Sequence, residues 1–326
     1  MKMELLDDLL VDTYSGDYTA IVKVIGGYLR DNTGAKVELQ RLGKGRANVI
    51  AAFGEPDRVI NCHMDTVPPS ANWTYEPLAA TKKGGKVYGL GTADTKGNIY
   101  CALKAAASSK PKDVMLLFTV DEELGQFDSG VRLFLGSGKH EGVKSAVVCE
   151  PTGVTRIGCH KGYYSYKFAI NGEAGHSSLG SKGNPIVKAA KLMVELDKLG
   201  FNVGTVSGGV RGNVVPESCE FKVSLRTYET PEAINKKVWE MVASDPSIEV
   251  AQSFNGAPLS HPSKLGKGLA EAPFWTEASL FAERGIDAIV YGAGNIQQAH
   301  SSDEFVSVEQ LETAQKYLAK VMEGKA

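Results

Sequence analysis

Cysteine is scarce in this chain. Its five residues, Cys62, Cys101, Cys149, Cys159 and Cys219, are odd in number and none is spaced as CxxC. That excludes a disulfide framework and a zinc site built from thiolates, and the cytoplasm is the expected compartment. No apolar run approaches 18 residues, so a membrane span is not expected. The opening stretch MKMELLDDLLVDTYSGDY alternates apolar and acidic residues in the manner of an amphipathic helix. It has neither the basic end nor the unbroken apolar segment of a secretory signal. Neither sign of charge is in excess: 36 Lys and Arg face 38 Asp and Glu, for a net charge of -2, with no basic block. Nothing here favours nucleic acid as a partner. The glycine-rich nucleotide motifs fail too. In YGLGTADTKG the position of the third glycine of GxGxxG is held by Asp94, a carboxylate where phosphate would have to sit. GSGKH at Gly136–His140 lacks both the upstream glycine and the hydroxyl residue of a P-loop.

What is present is an ordinary globular composition, 43% hydrophobic over 326 residues, enough for more than one domain. RVINCHMD, VMLLFTVDEE and SAVVCEPTG are apolar runs that end in polar clusters, and the Ala-rich Gly97–Ser109 between the first two has helical character. This alternation predicts an α/β domain with a mostly parallel sheet. From about Gly158 the pattern changes to β-α-β-β-α-β, with helices at NPIVKAAKLMVELDKLG and TPEAINKKVWEMVAS, before α/β character returns after Leu265. The expected layout is a catalytic domain over 1–157 and 263–326, with an inserted α+β domain over 158–262.

The polar clusters fall at strand ends, where open α/β sheets bind ligands. His63 and Asp65 are two apart on an extended chain and share a face, which suits a carboxylate that orients a ligating imidazole. Glu122, Glu123, Glu150 and His300 stand at other such ends, and Asp94 in a glycine-rich turn before the Ala-rich helix. Five candidate ligands, His63, Asp94, Glu123, Glu150 and His300, exceed what one tetrahedral zinc needs. Two cations sharing Asp94 account for all five, and Glu122 is left over as a general base. Two cations would also offset the repulsion among the three adjacent carboxylates Asp121, Glu122 and Glu123.

HMDTVP, YGLGTADTKG, TVDEELG, CEPT, HKG, GHSS, NVVP and QAHSSDEF, in this order and across essentially the whole chain, resemble the M20 metallopeptidase and deacylase family. YGLGTADTKG is similar to its acetylornithine deacetylase branch, and FWTEASLF with IVYGAGNIQQAHSSDEF to the related branch that acts on acetylcitrulline. The resemblance implies a catalytic domain holding two Zn2+ or Co2+ and an inserted lid or dimerisation domain, hence a homodimer. It places His63 and Glu150 on opposite metals with Asp94 bridging, and leaves open which of Glu123 and His300 joins each. It implies Asp65 as the orienter of His63 and Glu122 as base. His176 of GHSS would stabilise the oxyanion, in cis or across a dimer, and Asn213 and Arg226 would contact the substrate. Thr95 stands where relatives often carry Met. The activity so implied is removal of the acetyl group from N-acetyl-L-ornithine or N-acetyl-L-citrulline, small-molecule substrates of arginine biosynthesis. Glu277 is a candidate partner for a substrate side-chain cation. A dipeptidase or other N-acyl deacylase on the same scaffold is the alternative, and an inactive dimeric binding protein is the alternative of another class.

Overall fold

The run that ends in three carboxylates is a strand, Val114–Thr119, buried along its whole length. It can be apolar on both faces because it lies inside an eight-stranded sheet whose faces are covered. The computed structural model describes residues 4–123, 128–180, 183–260, 263 and 268–325. Leu124 and Gly125 of the TVDEELG motif lie outside the described residues. The chain divides into two units, one made of Met1–Cys159, His261–Ala272 and Thr276–Ala326, the other of His160–Ser260 and Pro273–Trp275. The sequence reading placed 273–275 with the first unit. Trp275 instead packs edge-on against Phe254, with ring centroids 4.9 Å apart, and this draws the segment to the second.

In the first unit the centre of the sheet is parallel. Arg58–His63 lies between Val114–Thr119 and Ser145–Val148, and Asp287–Val290 follows on the far side of Ser145–Val148. The register pairs His63 with Thr119 and Asn61 with Val148, so the carboxyl ends of these strands are level. Lys36–Gly43 and Arg46–Phe53, antiparallel to each other, extend the sheet on one side, and Ile157–His160, antiparallel to Asp287–Val290, and Ala270–Ala272 on the other. The helix Lys96–Ser108 is buried over most of its length, with Leu311, Ala314 and Leu318 of the helix Val308–Met322 in the same core. Its run of Ala and Gly permits this close approach. A separate three-stranded sheet joins Phe305–Ser307 to Lys86–Tyr88 and Thr81–Lys83.

The second unit is a four-stranded antiparallel sheet in the order Asn202–Gly208, Ser218–Thr227, Gly162–Asn171, Ile248–Gly256. Gly162–Asn171 alternates buried and half-buried positions, as expected of a strand with one face on a core. The helices Pro185–Lys198 and Pro231–Val242 start where the sequence signals them, at the caps Asn184 and Thr230 with Pro in the first turn. No helix among the described residues is long and apolar enough to cross a membrane.

Candidate metal centre

Each parallel strand delivers one part of the site. His63 is the last residue of Arg58–His63, Asp121 to Glu123 follow Val114–Thr119, and Glu150 follows Ser145–Val148. His300 comes on the loop after Asp287–Val290, and Asp94 on the loop before Lys96–Ser108. Among the described residues one group within 4.8 Å joins His63 to Glu122 and Glu123, and two triads lie beside it, His63 with Asp94 and Glu150, and His300 with Asp94 and Glu123. Asp94 belongs to both triads. Its Oδ1 is 3.0 Å from His63 Nε2 and its Oδ2 is 3.5 Å from His300 Nε2. Glu150 Oε1 lies 3.8 Å from His63 Nε2, and Glu123 Oε1 lies 2.7 Å from His300 Nε2.

This pairing corrects the sequence expectation. His63 and Glu150 are on the same side of Asp94, and Glu123 and His300 share the other side. The role of Asp65 also differs in its means. His63 Nδ1–H donates to the Asp65 backbone carbonyl at 3.0 Å, while the Asp65 carboxylate accepts from the amides of Glu122 and Glu123 at 3.2 and 2.9 Å. Asp65 thus orients the imidazole with its main chain and the following carboxylate turn with its side chain. The carbonyl contact leaves Nε2 as the ligating nitrogen.

Glu122 reaches both sides: its carboxylate lies within 4.8 Å of ligand atoms of His63 and of Glu123, one from each triad. Asp121 has a different task. It is buried with a positive φ of 64°, accepts from Tyr18 Oη at 2.6 Å, and is gripped by the Arg46 guanidinium. The sequence reading gave Asp121 no role beyond repulsion, and nothing local to TVDEE reveals its partners 75 and 103 residues away. Glu304 was missed for the same reason. It accepts from three backbone amides of the Asp94 loop. In that loop Gly91 has φ +84°, and a Cβ there would come within 2.9 Å of Thr66 Cγ2 and 3.0 Å of Lys96 Cδ, so only glycine fits. The Asp94–Thr95 peptide is cis. Thr95 Oγ1 donates to the carbonyl of Cys149, which ties the Asp94 loop to the residue before Glu150.

The electrostatics follow from crowding. Burial, then the surrounding carboxylates, push Glu122, Glu123 and Glu150 above the usual carboxyl range, against the pull of His63. Burial disfavours the charged form of His63, but Asp65, Asp94, Glu150 and Glu122 outweigh it and hold its pKa well above the ordinary value. The hydrogen bond to Glu123 raises His300 to about 9. A bound cation would relieve the same crowding of carboxylates. Two imidazoles and three carboxylates suit zinc or a similar divalent ion, and each triad leaves coordination positions open. The residues fit two such ions.

Glu277 is 1% exposed, and its Oε1 accepts from Ser129 Oγ at 3.1 Å. Burial drives its carboxyl up to about 7. It is thus enclosed, within electrostatic reach of His63 and Asp65. The other three expected site residues belong to the second unit. His176 is exposed on the short strand Gly175–His176, with Nδ1 2.7 Å from Ser178 Oγ, and it pairs with Val214. Asn213 is beside it, its carbonyl accepting from the Ser177 amide. Arg226 stands apart, its guanidinium 4.6 Å over the Tyr163 ring. Eight residues of extended strand separate it from Ser218, roughly 26 Å, and His176 and Asn213 lie beyond that end of the ladder.

Fold and site together define a metal-dependent hydrolase of α/β architecture, with a candidate two-cation centre at the carboxyl edge of its sheet. Residues 59–324 match the model of Peptidase family M20/M25/M40, and the chain belongs to that family. It is 30% identical to an N-acetyl-L-citrulline deacetylase of Xanthomonas campestris pv. campestris, over 91% of this chain and 90% of the relative. It is 31% identical to an acetylornithine deacetylase of Myxococcus xanthus, over 86% and 80%. Among solved structures, an M20 family metallo-carboxypeptidase from Sulfolobus solfataricus shares the fold with a TM-score of 0.77. The two are 16% identical, and 98% of each chain is covered.

Proposed function

We propose that this chain removes the acetyl group from N-acetyl-L-ornithine or N-acetyl-L-citrulline, using two Zn2+ or Co2+ ions. The observation that carries the reading is Asp94, whose two oxygens face two separate His-carboxylate triads. The two deacetylase relatives at about 30% identity supply the substrate class. When bound, the ions would polarise the scissile carbonyl and lower the pKa of water toward about 7. His63 with Glu150, and His300 with Glu123, would hold one ion each, and Asp94 both. Glu122 takes the proton from the attacking water and carries it to the leaving amine. Its position beside both triads, and a carboxyl held above the ordinary range, suit a group that must accept and then release a proton.

His176 is assigned to the developing oxyanion, Asn213 and Arg226 to the rest of the substrate. One N-acetyl amino acid cannot reach both ends of a strand about 26 Å long. The residues of the two ends that act on one substrate therefore come from two copies, and we propose a homodimer. The test is acetate release from the two substrates in parallel by Zn2+-loaded and Co2+-loaded protein. Turnover of either, abolished by a chelator, is the expected result, and the preferred substrate names the side chain. Two ions bound with neither substrate turned over would retire the acetyl-amino-acid reading.

A further inference from the structure

The loop that carries His300 also carries a carboxylate that belongs to neither triad. Glu304 is 2% exposed. Its Oε1 accepts from the amides of Ala93 and Asp94 at 2.8 and 2.9 Å, and its Oε2 from Gly91 at 2.8 Å. Its backbone carbonyl accepts from Gly89 N at 3.0 Å. Of the six amides from Gly89 to Asp94, four (Gly89, Gly91, Ala93 and Asp94) thus end on this one residue. The loop is neither helix nor strand, so its amides need partners from elsewhere, and a buried carboxylate with three donors is a strong and directional one. Glu304 is itself fixed from both sides. Asp303, at φ 56°, accepts from the amides of Thr74 and Tyr75, and Phe305–Ser307 is paired with Lys86–Tyr88. The two ligand loops are therefore one piece, joined at the amide of Asp94 itself.

We propose that Glu304 is a positioning residue for the centre. It holds Asp94 so that its two oxygens face His63 and His300 before any ion arrives. This rests on the cluster being a two-cation centre, and not on which substrate is cleaved. A Gln at 304 keeps size and one acceptor, but turns an NH2 toward either the Gly91 amide or the Ala93 and Asp94 amides, donor against donor. The full chain, stripped of metal, would be titrated with Zn2+ against a competing chelator and with Co2+ by visible absorption. Wild type is expected to bind two equivalents. In Glu304→Gln at least one should bind about 10- to 100-fold more weakly, with a changed Co2+ spectrum. A merely structural role would lower the melting temperature of the metal-free variant and leave the affinities of its folded form unmoved. Wild-type affinity for both equivalents in folded Glu304→Gln overturns the proposal. Should that variant not fold, hydrogen exchange on the wild-type protein decides. Slow exchange of the Gly91, Ala93 and Asp94 amides without metal supports it, and fast exchange until Zn2+ is added overturns it. No arm uses acetate release, so failure of the deacetylase assay leaves these outcomes intact. A wild-type chain that binds no Zn2+ overturns both the centre and this role.

Discussion

Three adjacent carboxylates carry three different burdens. Asp121 is paired with Arg46, accepts from the Tyr18 hydroxyl and holds the turn, with Asp65 accepting the next two amides. Glu123 faces His300 as part of a triad, and Glu122, next to it, is the residue proposed as base. The distinction can be tested at Glu122 alone. Replacing it with Gln preserves volume and removes the acceptor, so Glu122→Gln is expected to keep both ions while kcat falls by about 100- to 10,000-fold. Metal analysis beside steady-state kinetics separates the outcomes: loss of an ion would make Glu122 a ligand, and unaltered turnover would remove it as base.

At the scale of elements, the site is the consequence of four level strand ends and one tightly held loop. Gly91 is where that loop is least tolerant. With φ +84° and no room for Cβ, Gly91→Ala is expected to destabilise the metal-free protein by about 1–3 kcal/mol. Urea unfolding measures this, and an unchanged midpoint would show that Thr66 and Lys96 give way. Much of this scale was legible in the sequence. Apolar runs ending in His63, Asp121, Glu150 and Val290 announce parallel strands, and Asn184 and Thr230 announce helix starts. The division of ligands into triads was not legible, since it depends on strand order. Val114–Thr119 and Ser145–Val148 both border Arg58–His63, and chain order does not say which neighbour's carboxylate turns toward His63. The use of the Asp65 carbonyl, the grip of Arg46 on Asp121 and the Glu304 clamp were hidden likewise, being contacts between residues that pattern cannot pair.

At the scale of the whole molecule, two properties remain to be measured. The first is association. The strand Asn202–Gly208 is an edge exposed along all seven residues and paired only with Ser218–Thr227 among the described residues. Val206 on it is 58% exposed, and the helix beside it shows Val187 and Val194. An unguarded edge of this kind invites a second copy about a two-fold axis. Val206→Lys, a surface change, is expected to turn a dimer into a folded monomer by sedimentation, whereas a persisting dimer would move the interface elsewhere. The second property is the response to pH. Glu277 and Glu304 are raised to about 7 by burial, and His300 to about 9 by Glu123. Groups with raised folded pKa values stabilise below their unfolded values and lose that contribution as pH rises through the folded ones. Two buried groups act in the opposite sense: His160, lowered to about 4, stabilises as pH rises toward 6.5, and Lys96, lowered to about 8, does so only above that value. Between pH 6.5 and 8 the raised groups prevail, so the metal-free melting temperature should fall as pH rises. Ligands must be deprotonated to bind, so the rise in melting temperature on adding Zn2+ should grow over the same interval. Thermal unfolding with and without Zn2+ at several pH values tests both slopes. A metal-free melting temperature that climbs through this window would mean that the crowded carboxylates are already relieved by something other than protons.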